Sequence, residues 1–312
     1  METVGSPALW IGFIAFVLAM LAIDLGIFHR KSHVIGIREA AAWSCVWVAL
    51  SLLFNAGVWW KFGSVRGTEF LTGYLIEKSL SVDNIFVFVI IFSALGIPAI
   101  YQHRVLFWGI LSALLMRAGM IFAGAALLAR FHWLMYAFGA FLILTGAKLY
   151  AQRDKEMHPE DGLALKLARR LIPSTPRFDG DRFFTRENGR RLATPLLMAL
   201  ILVEVTDVIF AVDSIPAIFA ITQDPFIVFT SNIFAILGLR SLFFLLAGVV
   251  DKFRYLKAGL AAVLVFVGLK MTAVDLYKMP PFVSLAVIVA ILGASIWASL
   301  AASRREARAP PA

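Results

Sequence analysis

Nine continuous apolar runs of about 20 residues or more organise this chain, at roughly 7–27, 39–59, 68–93, 104–129, 133–150, 194–222, 226–249, 254–275 and 281–302. A helix rises about 1.5 Å per residue, so each run is long enough for the roughly 30 Å hydrocarbon core of a bilayer. A transmembrane barrel would instead show strands of about ten residues with alternating hydrophobicity. The pattern predicts an all-α polytopic membrane protein of about nine transmembrane helices. Composition agrees, because 61% of the residues are hydrophobic and 16% charged, against about 45–50% and 25% in soluble domains. The first run is preceded by Glu2 without Lys or Arg, and Arg30 and Lys31 follow it. It is expected to be a span and not a cleaved signal peptide.

The formal charge of +9 does not imply nucleic acid. Of the 29 Lys and Arg residues, 20 lie in or beside the connections after the first, third, fifth and seventh runs or in the C-terminal tail, and four in the other connections. By the positive-inside rule the N-terminus faces outside and the C-terminus the cytoplasm of a bacterial inner membrane. The long polar connection, 151–193, would then be cytoplasmic, with 162–171 an amphipathic stretch on anionic headgroups. Asp179 and Asp181 in that connection are a weak candidate for a cation contact. The lone Cys45 excludes a disulfide and a thiolate zinc cage.

Five acids lie well inside the third and sixth runs. Glu77, Asp83 and Asn84 lie in the third, and Glu204, Asp207, Asp213 and Ser214 in the sixth. A charge at mid-bilayer costs roughly 2.5–3.5 kcal/mol on insertion scales, so such residues default to a functional role. At about 100° per residue, Glu77, Ser81 and Asn84 share one helix face, and so do Glu204, Asp207 and Ser214. Asp83 and Asp213 point about 120° away, toward a second wall of a cavity or a neighbouring helix. Asp24, near the end of the first run, could line the cavity or sit at the interface. Every candidate ligand is oxygen, while His29, His33, His103, His132 and His158 lie in loops or at run ends. An oxygen set suits Mn²⁺, Ca²⁺ or Mg²⁺ over Zn²⁺ or Cu⁺. Charge compensation is expected from Arg117, Arg240 and Lys78, with Asp83–Arg117 and Asp213–Arg240 pairs or their crossed versions.

An internal repeat aligns the third to fifth runs with the sixth to eighth. Glu77 falls on Asp207, Asp83 on Asp213, Asn84 on Ser214, Arg117 on Arg240 and Lys148 on Lys270. Three spans per copy invert the second copy relative to the first, and such transporters hold their substrate near the midplane where the copies meet. Residues 68–150 form the first copy and 194–275 the second, with 281–302 a final helix of one transporter domain over 1–312. Pro216 lacks an N–H and is expected to break the sixth helix beside Asp213, freeing the carbonyl of Val212. Gly96 and Pro98 are expected only to end the third.

The segments 77–84 and 204–218, together with 231–242, closely resemble the signatures of the TerC family of integral membrane proteins. The resemblance covers about residues 10–300. It implies export of Mn²⁺ from the cytoplasm, an inverted three-helix architecture and, for some members, supply of metal to secreted enzymes. The family's name refers to tellurite resistance, but acids in a cavity would repel an oxyanion.

The functional expectation is therefore a divalent-metal exporter coupled to protons, with a lipid bilayer and a divalent cation as its partners. It is not expected to be an enzyme or to carry an organic cofactor. One alternative is a metal-delivery scaffold that binds secretion machinery. A remoter one is an intramembrane aspartyl protease, against which stand the lack of Gly-x-Gly-Asp before the second acid and of Pro-Ala-Leu on a later span. No Gly-x-x-x-x-Gly-Lys-[Ser/Thr] loop is present for nucleotide.

Overall fold

The computed structural model describes residues 3–28, 36–131, 133–151, 170, 172–187, 189–247, 255–276 and 279–306. The amphipathic stretch 162–171 lies outside the described residues apart from Arg170, as do His29, His33, His132, His158 and the side chain of Asp24.

Proline marks where several helices start. Pro7 opens α1 (Pro7–Phe28), and Pro98 precedes α3 (Ala99–Arg130). Thr194-Pro195 opens α5 (Pro195–Phe219), Asp224-Pro225 opens α6 (Pro225–Leu237), and Pro281 opens α9 (Pro281–Glu306). At the first helical position a missing N–H costs nothing and the fixed φ suits the helix. Asp224 caps α6 by accepting from the Phe226 N–H at 2.9 Å. The same carboxylate accepts from Thr3 Oγ1 and the Val4 N–H, both at 2.8 Å, which ties the described N-terminal residues to α6. The remaining helices are α2 (Ile37–Ala94), α4 (Leu134–Ala151), α7 (Leu239–Leu246) and α8 (Leu256–Thr272).

The 58-residue α2 is a hairpin of two helical limbs, 37–62 and 64–94. Gly63 alone within it has non-helical angles, φ 88° and ψ 172°, a region glycine enters without a Cβ penalty. The rings of Phe54 and Phe70 lie 5.4 Å apart, whereas 16 residues of unbroken helix would separate them by about 24 Å. Farther from the turn, Trp47 and Lys78 both lie against Gly238. The second limb ends as expected at Gly96 (φ 61°), with the Ile97 N–H donating to Phe92 O at 2.8 Å. This is the closing bond of a Schellman cap.

One expectation is corrected. Pro216 does not break its helix, because α5 continues to Phe219. The proline stands in the last turn, where only one backbone bond is at stake. The break comes in the next run, where α6 and α7 meet at Gly238 with a 40° bend. The fold is mostly helical, as expected, with one short strand pair. Within 151–193, strands β1 (Phe184–Glu187) and β2 (Arg190–Ala193) pair antiparallel, turning at Gly189 (φ 76°). Asp181 accepts from Arg104, and Asp179 lies 3.6 Å from Arg182, so both loop acids already face arginine.

Among the described residues, Ala99–Arg130, Leu134–Ala151, Pro195–Phe219 and Pro281–Ala302 are long and apolar enough to cross a membrane. The bent pair α6–α7 makes a fifth if it is one span. Large apolar side chains such as Leu115 and Trp297 are 73% exposed, as lipid-facing residues would be. Inside, Phe13, Phe54, Phe70, Phe226 and Phe234 form an aromatic cluster that joins α1, the α2 hairpin and α6.

Helices α4 and α8 cross closely at glycines. A Cβ on Gly146 would lie 2.8 Å from Ala261 O, and one on Gly268 would lie 2.7 Å from Gly139 O. Without a hydrophobic driving force in lipid, such small-residue contacts carry helix association. Gly146→Val is therefore expected to push the helices apart and cost about 1–3 kcal/mol as overpacking. A lowered unfolding midpoint in detergent is the readout, and an unchanged midpoint would refute the close crossing.

Candidate cation site between α2, α4 and α5

The second limb of α2 buries Glu77, Ser81 and Asn84 at 1% exposure each, consistent with their shared helix face. On α5, Asp207 and Ser214 are buried, and Glu204 and Asp213 are partly buried. The structure places these residues in three environments, two of which share Glu77.

The first is a buried ion triad. Arg117, at the middle of α3 and 1% exposed, donates from Nε and Nη2 to Asp207 Oδ2 and Oδ1 at 3.1 and 2.7 Å. Its Nη1 donates to Glu77 Oε1. The expected Arg117 partner, Asp83, has a side chain outside the described residues, and Asp213 makes a different contact. Among the described residues the arginine meets Glu77 and Asp207, the acids about two helical turns earlier. These are the two positions that the repeat aligns with one another. Arg240 is likewise buried, in α7.

The second environment is a tether. Ser112 Oγ on α3 donates to Glu204 Oε1. Lys78, expected to compensate an acid, donates instead to the carbonyl of Ala235 at 3.2 Å. That carbonyl belongs to the last turn of α6, where carbonyls lack helical partners and the dipole favours a cation. Lys78 thus caps the half-helix at the Gly238 break, next to which its Nζ lies.

The third is a cavity of about 70 Å³, lined by Glu77, Asn84, Thr145, Asp213 and Ser214 together with Leu80, Leu149, Phe210 and Leu264. Thr145 of α4 donates to Asp213 Oδ1 at 3.3 Å. Three other oxygens of its lining residues, Glu77 Oε2, Asn84 Oδ1 and Ser214 Oγ, are buried without a hydrogen-bond partner. Leaving such a group unsatisfied costs about 1–3 kcal/mol each. Three together mark a place suited to an occupant that supplies positive charge. A cavity of this size holds a metal ion with about one or two waters. Two carboxylates, an amide and two hydroxyls make a hard-cation donor set.

Among the described residues, no three of His, Cys, Asp and Glu cluster as metal ligands. Asp207 is engaged by Arg117, Glu204 by Ser112, and the Asp83 side chain lies outside the described residues. Sequence reasoning missed Thr145 and Ser112. A lone hydroxyl in an apolar helix usually bonds its own i−4 carbonyl, as Thr72 does at 2.7 Å and Ser79 at 2.6 Å. Nothing in the sequence separates those hydroxyls from Thr145.

The chain matches the model of the integral membrane protein TerC family over residues 62–307. It is 72% identical over 307 residues to an uncharacterized membrane protein of Myxococcus xanthus, covering 97% of this chain and 96% of the relative. It is 52% identical over 301 residues to a protein of Escherichia coli strain K12 provisionally named membrane-bound redox modulator Alx, covering 94% of each. A membrane protein of Rickettsia bellii is 42% identical over 291 residues, covering 93% of this chain and 96% of the relative. No solved structure matches the chain. With its buried acids, apolar helices and a match that runs from the α2 turn through α9, the chain belongs to the integral membrane protein TerC family.

Proposed function

We propose that this protein is a secondary transporter that exports a divalent cation, Mn²⁺ ahead of Ca²⁺ or Mg²⁺, across the bacterial inner membrane. The observation that carries the reading is the cavity, where three unpartnered buried oxygens belong to residues that line it beside the Asp213 carboxylate. Oxygen ligands of this kind suit a hard or borderline cation. In this reading the protein is not an enzyme and needs no organic cofactor. Its partners are the cation and the lipid bilayer.

Nine spans with the N-terminus outside and the C-terminus cytoplasmic fit this role. The α2 hairpin supports counting its limbs as two spans, and the bent pair α6–α7 as one. An inverted repeat is supported by which helices pack together. The second limb of α2 packs on α6 as α3 packs on α5, and α4 pairs with α8. This pattern is unchanged when the third, fourth and fifth spans are exchanged for the sixth, seventh and eighth. Superposing 68–150 on 194–275 tests it, with Glu77 and Asp207 required to coincide.

The relatives provisionally named redox modulators raise a different chemistry. A dithiol couple within one chain needs two cysteines, and this chain has one, the exposed Cys45 on the first limb of α2. The carboxylate cavity therefore carries the assignment.

Export needs an energy source, and carboxylates that hold a cation in one state can hold protons in the other. An inward proton gradient across proteoliposomes is expected to accelerate Mn²⁺ efflux several-fold, and a protonophore to abolish that gain. Efflux indifferent to the gradient would remove proton coupling. Mn²⁺ binding without flux would favour a metal-delivery scaffold that works with secretion machinery.

A further inference from the structure

The two oxygens of Glu77 have different surroundings. Oε1 accepts from Arg117, while Oε2 is buried without a partner in a residue that lines the cavity. The rest of the guanidinium is held by the two-pronged bond to Asp207 at 3.1 and 2.7 Å. A planar fork fits one carboxylate in this way and leaves a further N–H for a second. The arginine's charge is therefore shared between one acid from the second limb of α2 and one from α5.

We propose that Arg117 is a tethered competitor for the transported cation, and that Asp207 is the anchor that sets how strongly Arg117 holds Glu77. Asp207 then acts as a positioning residue and not as a metal ligand. The inference rests on the cavity being the cation site. A divalent ion beside Glu77 Oε2 and the guanidinium beside Oε1 repel each other through one carboxylate, at a range where screening by salt is weak. Drawing Arg117 toward Asp207 lowers that repulsion. The arrangement keeps binding shallow enough for release, which any transport site must do to turn over.

Two variants must move Mn²⁺ affinity in opposite directions. Asp207→Asn leaves the full arginine charge on Glu77 and should weaken binding by about tenfold. Arg117→Gln combined with Asp207→Asn keeps the triad's net charge, frees both oxygens of Glu77 and should tighten binding by about tenfold. The tighter site should also release more slowly, lowering the maximal Mn²⁺ flux.

The measurement is calorimetric titration of the full chain in nanodiscs with Mn²⁺, paired with proteoliposome flux at saturating Mn²⁺. A purely structural triad, or Asp207 as a direct ligand, predicts weaker binding in both variants, and that result would overturn the proposal. If the double variant does not fold, unchanged or tighter binding in Asp207→Asn would still overturn the proposal. Loss of the cavity reading looks different: wild type without Mn²⁺ binding, or Asp213→Asn binding as wild type does, would sink that reading and this inference together.

Discussion

Replacing Asp213 with asparagine is expected to weaken Mn²⁺ binding by at least about a hundredfold while leaving the fold intact. The cavity has two carboxylates, Glu77 and Asp213, and Glu77 already shares its charge with Arg117. Two unit charges 4 Å apart interact by about 4 kcal/mol at an effective dielectric of about 20, and a divalent ion doubles that. A large discount for relaxation still leaves about 3 kcal/mol, and each 1.4 kcal/mol is tenfold in affinity. The fold should tolerate the change because Asp213 is partly exposed and its contact from Thr145 is long, at 3.3 Å. Thr145→Ala, which removes one neutral oxygen, should cost only a few-fold. Titration of both variants with Mn²⁺ checks the pair. Equal losses, or none at Asp213, would remove the cavity as the cation site.

The second large effect is on stability. Arg117→Met should destabilise the protein by about 3–5 kcal/mol, because it strands two buried carboxylates that lose their shared partner. Arg117 is 1% exposed, as is Glu77, and Asp207 is 4% exposed, so water cannot replace the lost bonds. Combining Arg117→Met with Glu77→Gln and Asp207→Asn removes the stranded charges and should recover most of the loss. Unfolding midpoints in one detergent, read by intrinsic tryptophan fluorescence, give the comparison. A single variant as stable as wild type would mean that the triad does not hold α2, α3 and α5 together.

These two expectations depend on which acid meets which base, and there the sequence was least informative. The helical wheel grouped Glu77 with Asn84 and separated Asp213 from Asp207 correctly in azimuth. It could not say that α3 brings Arg117 to the level of Glu77 and Asp207. Pro216 is conspicuous in the sequence and leaves its helix continuous, while Gly238, one glycine among 22, marks the bend. The difference is position, since a proline in a last turn forfeits little. At Gly238 the carbonyl of Ala235 has a lysine to accept from.

The sequence by itself determined the solvent and the chemistry. Runs of apolar residues long enough to cross a bilayer can only be helices there, and acids placed inside them must be matched by bases or cations. The motifs around Glu77 and Asp207 likewise identified the family. Tertiary structure decided the neighbours. In water, an amphipathic stripe tells a helix which face turns inward, but lipid satisfies every apolar face equally. The azimuth and depth at which helices meet are then set by small-residue crossings such as Gly146 on Ala261 and by buried polar pairs. That is why Thr145 reaches Asp213 from another helix, and why Arg117 holds Glu77 and Asp207 together, where no spacing along the chain announced it.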